Sequence, residues 1–352
     1  MLIKHNSPCI DTLDIQSVMD VMRSGYIAEG PVVEQFEKEF GLKNVIPYCR
    51  AVINGTSAIY LGLLALKIEK GDEVLLPTYV CSALLNAIFM VGAKPVLADI
   101  MEDDFNISVS EIYKKITKKT KAIIIPHIHG MPFSHFSDIP EGISVLEDCA
   151  TAIGSCLNGI PVGNSGNISI FSFYATKYIT TGNGGMVCTH DAAIDRFVGD
   201  YREFDCCSIY KPRFNFQMGD LQASLGLSQL KRLEEIKLKR KIIAARYKEF
   251  FKEKGIEWQK ADSDSLEYNN YRLIIRIDNK NRDRIKDGLE KMGISCIIPI
   301  DNYELLHNYL HLSSGSFPVA EKIAASTLSM PIYPSLKENE LDYVIECLTK
   351  IV

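Results

Sequence analysis

Lys177 is the residue of this 352-residue chain whose surroundings most directly suggest a chemical role. It stands in "FSFYATKYITTGNGGMV" (171–187), between an aromatic, hydroxyl-rich run and a cluster of glycines. Desolvation in an apolar setting lowers the pKa of an amine, and the neutral amine can form a Schiff base with an aldehyde. A surface lysine with its stem lying along apolar rings is the alternative, and it leaves the aromatics and glycines unexplained. Asp148 precedes it by 29 residues, at the end of an apolar run in "SVLEDCATAIGS" (144–155). Open α/β sheets place ligands at the carboxyl ends of their strands, and a carboxylate buried there needs a partner. A helix N-cap explains Asp148 equally well. In "NGTSAIYLG" (54–62), Gly55, Thr56 and Ser57 open a helix. Free N–H groups, the positive end of the helix dipole and two hydroxyls make that turn an anion site, unless Asn54 or Thr56 is merely an N-cap.

Together these stretches match the needs of pyridoxal phosphate. That cofactor requires an amine for its aldehyde, a carboxylate to keep its ring nitrogen protonated, and donors for its phosphate. Lys177, Asp148 and the 55–57 turn supply all three, with Ser172 as a further phosphate donor. "TGNGGMV" runs into a strand and is not G-x-G-x-x-G, so a dinucleotide loop is set aside. Its glycines are expected to let the backbone pass close to the cofactor.

The elements that must position these groups alternate between helix and strand. Apolar runs at 73–79, 94–100, 121–127, 144–149, 168–173 and 184–189 predict strands, and 56–67 and 81–92 predict helices. The runs are continuously apolar, as burial on both sheet faces requires, so the fold class is α/β with a mainly parallel, helix-covered sheet. A long charged-amphipathic helix is predicted over roughly 218–254. After it come "NYRLIIRID", "RDRIKDGLEKMG", "ISCIIPI" and "ENELDYVIECLTK", which read as a smaller α+β unit. The expected division is a large domain over 12–235 and a small one over 236–352, with residues 1–11 packing beside the small one.

Composition is that of an ordinary globular protein, 47% apolar and 24% charged. A net charge of -5 gives no global attraction to nucleic acid or to an anionic membrane. Basic runs at 113–121 and 231–241 alternate with apolar residues at helical spacing and read as solvated faces. No apolar run is long enough for a signal peptide or a membrane span. Ten scattered cysteines without C-x-x-C predict reduced thiols in the cytoplasm, and the vicinal pair Cys206–Cys207 reads as an exposed loop.

With these residues assembled, the chain resembles the DegT/DnrJ/EryC1/StrS family of pyridoxal-phosphate sugar aminotransferases. "NGTSAI", "EVLLPTY", "PHIHG", "EDCATAIGS", the lysine stretch and "FNFQMGDLQASLGLSQLKRL" carry the resemblance, in that order, between residues 24 and 336. It implies the fold-type I architecture, with a mainly parallel seven-stranded sheet, helices on both faces and a small C-terminal domain. It also implies Lys177 as the Schiff-base lysine and Asp148 as partner of the pyridine nitrogen. Thr56, Ser57 and Ser172 match phosphate positions, and Asn215 matches an asparagine that reaches the phosphate from a neighbouring subunit, hence a homodimer. Departures fall at Cys81, where an aromatic usually covers the ring and Tyr79 is the substitute considered. They fall also at Thr151 in place of a glutamine near the ring hydroxyl, and at Asn183 and Gln217.

The implied reaction is ping-pong transamination from L-glutamate to a keto group of a nucleotide-linked hexose, with pyridoxamine phosphate between the halves. A small non-nucleotide ketone is the alternative acceptor. Family dehydratases carry a histidine in place of the lysine, and a non-catalytic protein with an altered pocket is a further rival. A zinc site of His127, His129 and His135 lacks an acidic or thiol ligand at recognisable spacing, so no metal is expected. His127 is expected to line the cofactor pocket and His129 to face substrate. Arg202, Lys211 and Arg213 are candidates for a diphosphate or a donor carboxylate. "GYIAEGP" (25–31) is a second candidate wall of the pocket.

Overall fold

The computed structural model describes residues 2–205, 207–260 and 265–352; Cys206, half of the vicinal pair, lies outside them. Seven strands form the main sheet: β1 (Tyr48–Val52), β2 (Glu73–Pro77), β3 (Lys94–Ala98), β4 (Thr120–Pro126), β5 (Ser144–Asp148), β6 (Ile168–Ser172) and β7 (Gly185–Thr189). Their order is β1-β7-β6-β5-β4-β2-β3. The run from β6 to β3 is parallel, and β7 pairs antiparallel with both β6 and β1. An antiparallel joint needs no crossover helix, so the loop carrying Lys177 connects β6 to β7 directly.

Strand β1 is absent from the sequence-based prediction. Its centre is Arg50, which pairs at 2.7 and 2.8 Å with Asp195 on the helix Ala192–Arg202 and interrupts the apolar signal.

The continuous apolar runs have a direct physical cause. Successive strand residues point to opposite faces, and both faces are covered. On β5, Leu146 joins one core cluster while Val145 joins another. On β6, Ile168 and Ile170 face the first cluster and Phe171 faces a third. The helix Gly55–Ala65 lies on the first face. It packs so closely there that a Cβ on Gly62 would stand 3.0 Å from Leu146. This contact sets the start of the helix over the carboxyl ends of β5 and β6.

The predicted long helix is two helices, Asp220–Lys231 and Leu233–Lys254. Arg232 breaks them at φ -99° and ψ 10°. Its guanidinium holds Asp11 and Asp14, each at 2.5 Å, which ties the junction to the N-terminal segment. Beyond it, β8 (Glu257–Trp258), β9 (Leu273–Arg276) and β10 (Thr327–Met330) form an antiparallel sheet in that order. A separate cluster gathers Ile3 with apolar residues between Ile243 and Leu348. Ile274, Ile300 and residues from Leu305 to Ala324 instead join the core of the large sheet. "ISCIIPI" forms only the isolated bridges Ile3↔Ile294 and Ile297↔Ser329. Among the described residues, no helix is long and apolar enough to cross a membrane.

Candidate active site

Strand alternation decides which groups meet. Asp148 shares a face with Leu146, and Ser172 shares one with Ile168 and Ile170, so both point toward the helix Gly55–Ala65. Asn54 caps that helix by accepting the Ser57 N–H at 2.8 Å, which leaves the N–H groups of Gly55 and Thr56 at its open end. A Cβ on Gly55 would lie 3.0 Å from the Ser172 side chain, so glycine is what brings the turn against that hydroxyl. On the other side, a Cβ on Gly185 would meet Asn54 O at 2.5 Å.

Lys177 sits on the β6–β7 loop, which is stitched by its own threonines. Thr180 Oγ1 donates to Phe173 O at 3.1 Å and accepts the Gly182 N–H at 2.9 Å. Thr181 Oγ1 donates to Asn183 O at 2.8 Å, and Gln229 Oε1 accepts the Thr180 N–H at 2.9 Å. Tyr178 and Ile179 anchor the loop in the core. The glycines expected to spare a cofactor serve this same loop: Gly182 turns it at φ 78°, and a Cβ on Gly184 would strike Thr181 Oγ1 at 2.2 Å.

One pocket of about 330 Å³ holds Thr56, Cys81, Asp148, Ser172 and Lys177, with Gly55, Ala150, Tyr174 and Asn183 among its other walls. Ser57 is buried and Thr151 half-buried, and neither lines it. The Thr151 hydroxyl donates to His127 O at 3.1 Å. Asn215 is exposed and away from its own chain's pocket. Tyr79, considered as a ring cover, is fully buried with its ring edge-on to Phe105 and His129. Tyr174, three residues before the lysine, is the aromatic that does line the pocket. A wider groove of about 830 Å³ lies along the β1 edge, lined by Val45, Arg50 and His190, and holds none of these groups.

His127 is a correction. It faces Glu147 rather than the pocket: Nδ1 accepts the Phe133 N–H at 3.0 Å, so Nε2 carries the proton and donates to Glu147 Oε2 at 3.0 Å. Among the described residues, His127, Glu147 and Cys149 bring potential ligand atoms within 4.8 Å of one another. His129 and His135, grouped with His127 by sequence, are not part of that cluster.

The three cations proposed from sequence are all paired with acids. Arg202 holds Glu29 and Glu37, Arg213 holds Asp200 at 2.7 Å, and Lys211 holds Asp200.

Asp148 accepts the Ala150 N–H at 2.9 Å on one oxygen, and its other oxygen has no partner among the described residues. Burial raises its carboxyl above the ordinary range, opposed by the Ala150 N–H and by the nearby charge of Lys177. A raised native pKa means that the folded state binds this proton more tightly than the unfolded one, so stability falls as pH rises through that window. In protein stripped of cofactor, Asp148→Asn therefore melts higher than wild type at pH 8, and the gap closes on acidification. A lower melting point at pH 8 contradicts this account.

The sequence profile of the DegT/DnrJ/EryC1/StrS aminotransferase family matches residues 8–349. The chain belongs to that family. It is 31% identical to the spore coat polysaccharide biosynthesis protein SpsC of Bacillus subtilis, across 99% of this chain and 97% of that protein. It is also 31% identical to a GDP-perosamine synthase of Vibrio cholerae, across 99% of this chain and 98% of that one. Spr1654 of Streptococcus pneumoniae, solved in a PLP-form, superposes with a TM-score of 0.92 at 26% identity, covering 100% of both chains. This DegT-family protein is a pyridoxal-phosphate-dependent aminotransferase. Its donor set fits that cofactor: an amine, a carboxylate with an unpartnered oxygen, and hydroxyls beside an open helix start, all on one pocket.

Proposed function

We propose that this aminotransferase carries an amino group from L-glutamate to a keto group on a nucleotide-linked hexose, in two half-reactions at one site. The observation that carries the reading is the convergence of Lys177, Asp148, Thr56 and Ser172 on one pocket at the carboxyl ends of β5 and β6. The names of the relatives, a GDP-perosamine synthase and a polysaccharide biosynthesis protein, support a sugar acceptor.

Thr56, Ser172 and the open helix start would hold the cofactor phosphate, and Asp148 its ring nitrogen. When bound, the cofactor supplies an aldehyde that takes up the amino group and a protonated ring that withdraws electrons from the reacting carbon. Lys177 Nζ has no hydrogen-bond acceptor among the described residues, which leaves it able to take the proton from the donor α-carbon and return it on the other side of the transfer. Asp148 would face the ring nitrogen as a carboxylate, its charge offset by the proton on the ring. Asn215 stands outside its own pocket, and we place it at the neighbouring site of a homodimer. The free thiols fit a reducing cytoplasm.

The test is the absorption spectrum. Addition of L-glutamate is expected to bleach the visible band of the cofactor-loaded protein, and a nucleotide-linked keto-hexose is expected to restore it. A band indifferent to L-glutamate rules out that donor.

A further inference from the structure

Arg272 immediately precedes β9, where that strand packs between the two cores. Leu273 and Ile275 pack in the cluster around Ile3, whereas Ile274 packs with the large sheet. Arg272 shares the face of Ile274, because strand residues alternate. Its Nη1 is buried without a hydrogen-bond partner, and among the described residues no acid pairs with its guanidinium. The contrast is Arg240, which is fully buried but donates to the backbone oxygens of Asn270, Tyr271 and Ile332. A half-buried guanidinium whose Nη1 is enclosed without a partner points to an anion brought from outside the chain, since leaving that part of the charge unpaired is costly.

What stands around it identifies the anion. Lys177 Nζ lies 5.8 Å and Arg272 Cζ 5.6 Å from the centroid of the same Tyr271 ring. Burial alone would raise the Tyr271 phenol, yet the charges of Lys177 and Arg272, with a Thr176 hydrogen bond and Arg240, hold it below its usual range. His129 is buried with Nε2 unpartnered, and its backbone is held at φ 58°, a left-handed conformation rare for a side-chain-bearing residue. Burial first, then the charges of Arg272 and Lys177, keep its imidazole neutral.

We infer that Arg272 and His129 form the subsite that takes the α-carboxylate of the amino donor. This deepens the proposed transamination and rests on it. An α-amino acid carries its carboxylate one bond from the carbon whose proton Lys177 moves, so that anion comes closest to the lysine. The phosphates of a nucleotide-linked sugar stand further off, because at least the anomeric carbon and its oxygen separate them from the keto carbon. Arg272 is a positioning group: a guanidinium fork fixes a carboxylate plane, which turns the α C–H bond toward the amine.

The experiment mixes the cofactor-loaded protein rapidly with L-glutamate, L-aspartate or L-alanine, and separately with benzylamine, which has no carboxylate. The decay of the visible band gives an apparent Kd and a limiting rate for each. In Arg272→Ala, the preference for the amino acid over benzylamine is expected to fall about 10- to 100-fold, mostly through Kd, the range for a hydrogen bond to a charged group. Arg272→Lys is expected to recover part of that preference. An unchanged preference overturns the subsite, as does an equal loss for amino acid and benzylamine, which would make Arg272 a structural support. Loss of the dimer in Arg272→Ala by sedimentation also overturns it, placing the guanidinium's partner on the other subunit. If the band of the wild-type protein ignores every amino acid, the transamination reading fails and takes the subsite with it. A wild-type response with an unaltered Arg272→Ala removes the subsite alone.

Discussion

Lys177→Ala, loaded with pyridoxal phosphate and given its substrates, turns over roughly 10⁴-fold more slowly than the wild-type protein. Two functions are lost together: the amine that binds the cofactor aldehyde and the base that moves the donor proton. The loss is not one of folding. Lys177 Nζ has neither an ion pair nor a hydrogen bond among the described residues, and the loop is held by Thr180, Thr181, Tyr178 and Ile179. Lys177→Ala therefore keeps the wild-type melting point without cofactor, and the visible band disappears. Steady-state assay and differential scanning fluorimetry check both halves, and turnover within tenfold of wild type refutes the role of this amine.

Glu147→Ala has the largest expected effect on stability. Glu147 neighbours Asp148 on β5 but points to the opposite face, where it is completely buried. One oxygen accepts from His127 Nε2 at 3.0 Å and from the Gly163 N–H at 2.9 Å; the other accepts the Ser165 N–H at 2.6 Å and the Gly166 N–H. Burial pushes this carboxyl upward, and the His127 contact with the backbone N–H groups overcomes that push, so it titrates below the ordinary range. Removing it leaves several donors buried without an acceptor. A cost of about 3–5 kcal/mol is expected, read as a lower urea midpoint, as for other buried partners deleted from one side. The sign of the pH dependence follows from the lowered native pKa: this stabilisation is present above the unfolded carboxylate value and is lost as pH falls through the native one. The gap between Glu147→Ala and wild type therefore narrows in acid, and a gap that widens there contradicts the network.

The core of the site is legible in the sequence because each member sits in a local pattern that fixes its position. Asp148 ends an apolar run, Thr56 opens a helix behind a capping asparagine, and Lys177 lies between two strands. Long-range geometry is what the sequence leaves out. His127 was expected in the pocket, but the period of two along β5 turns its partner Glu147 away from the face that Asp148 uses. Arg272 carries no local motif, and its approach to Lys177 depends on how β9 packs between two cores. Strand β1 leaves no local signal because Arg50 breaks its apolar run, its partner Asp195 being far away in sequence. Nothing local in the sequence stops the long helix at Arg232; contacts with Asp11 and Asp14 do.

The most direct measurement is reduction of the cofactor-loaded protein with sodium borohydride, followed by peptide mass mapping. A single pyridoxyl adduct on Lys177 is the predicted result, lost when an excess of L-glutamate is added before the reductant. An adduct on another lysine, or a protein that takes up no label, contradicts the assignment of this pocket as the catalytic centre.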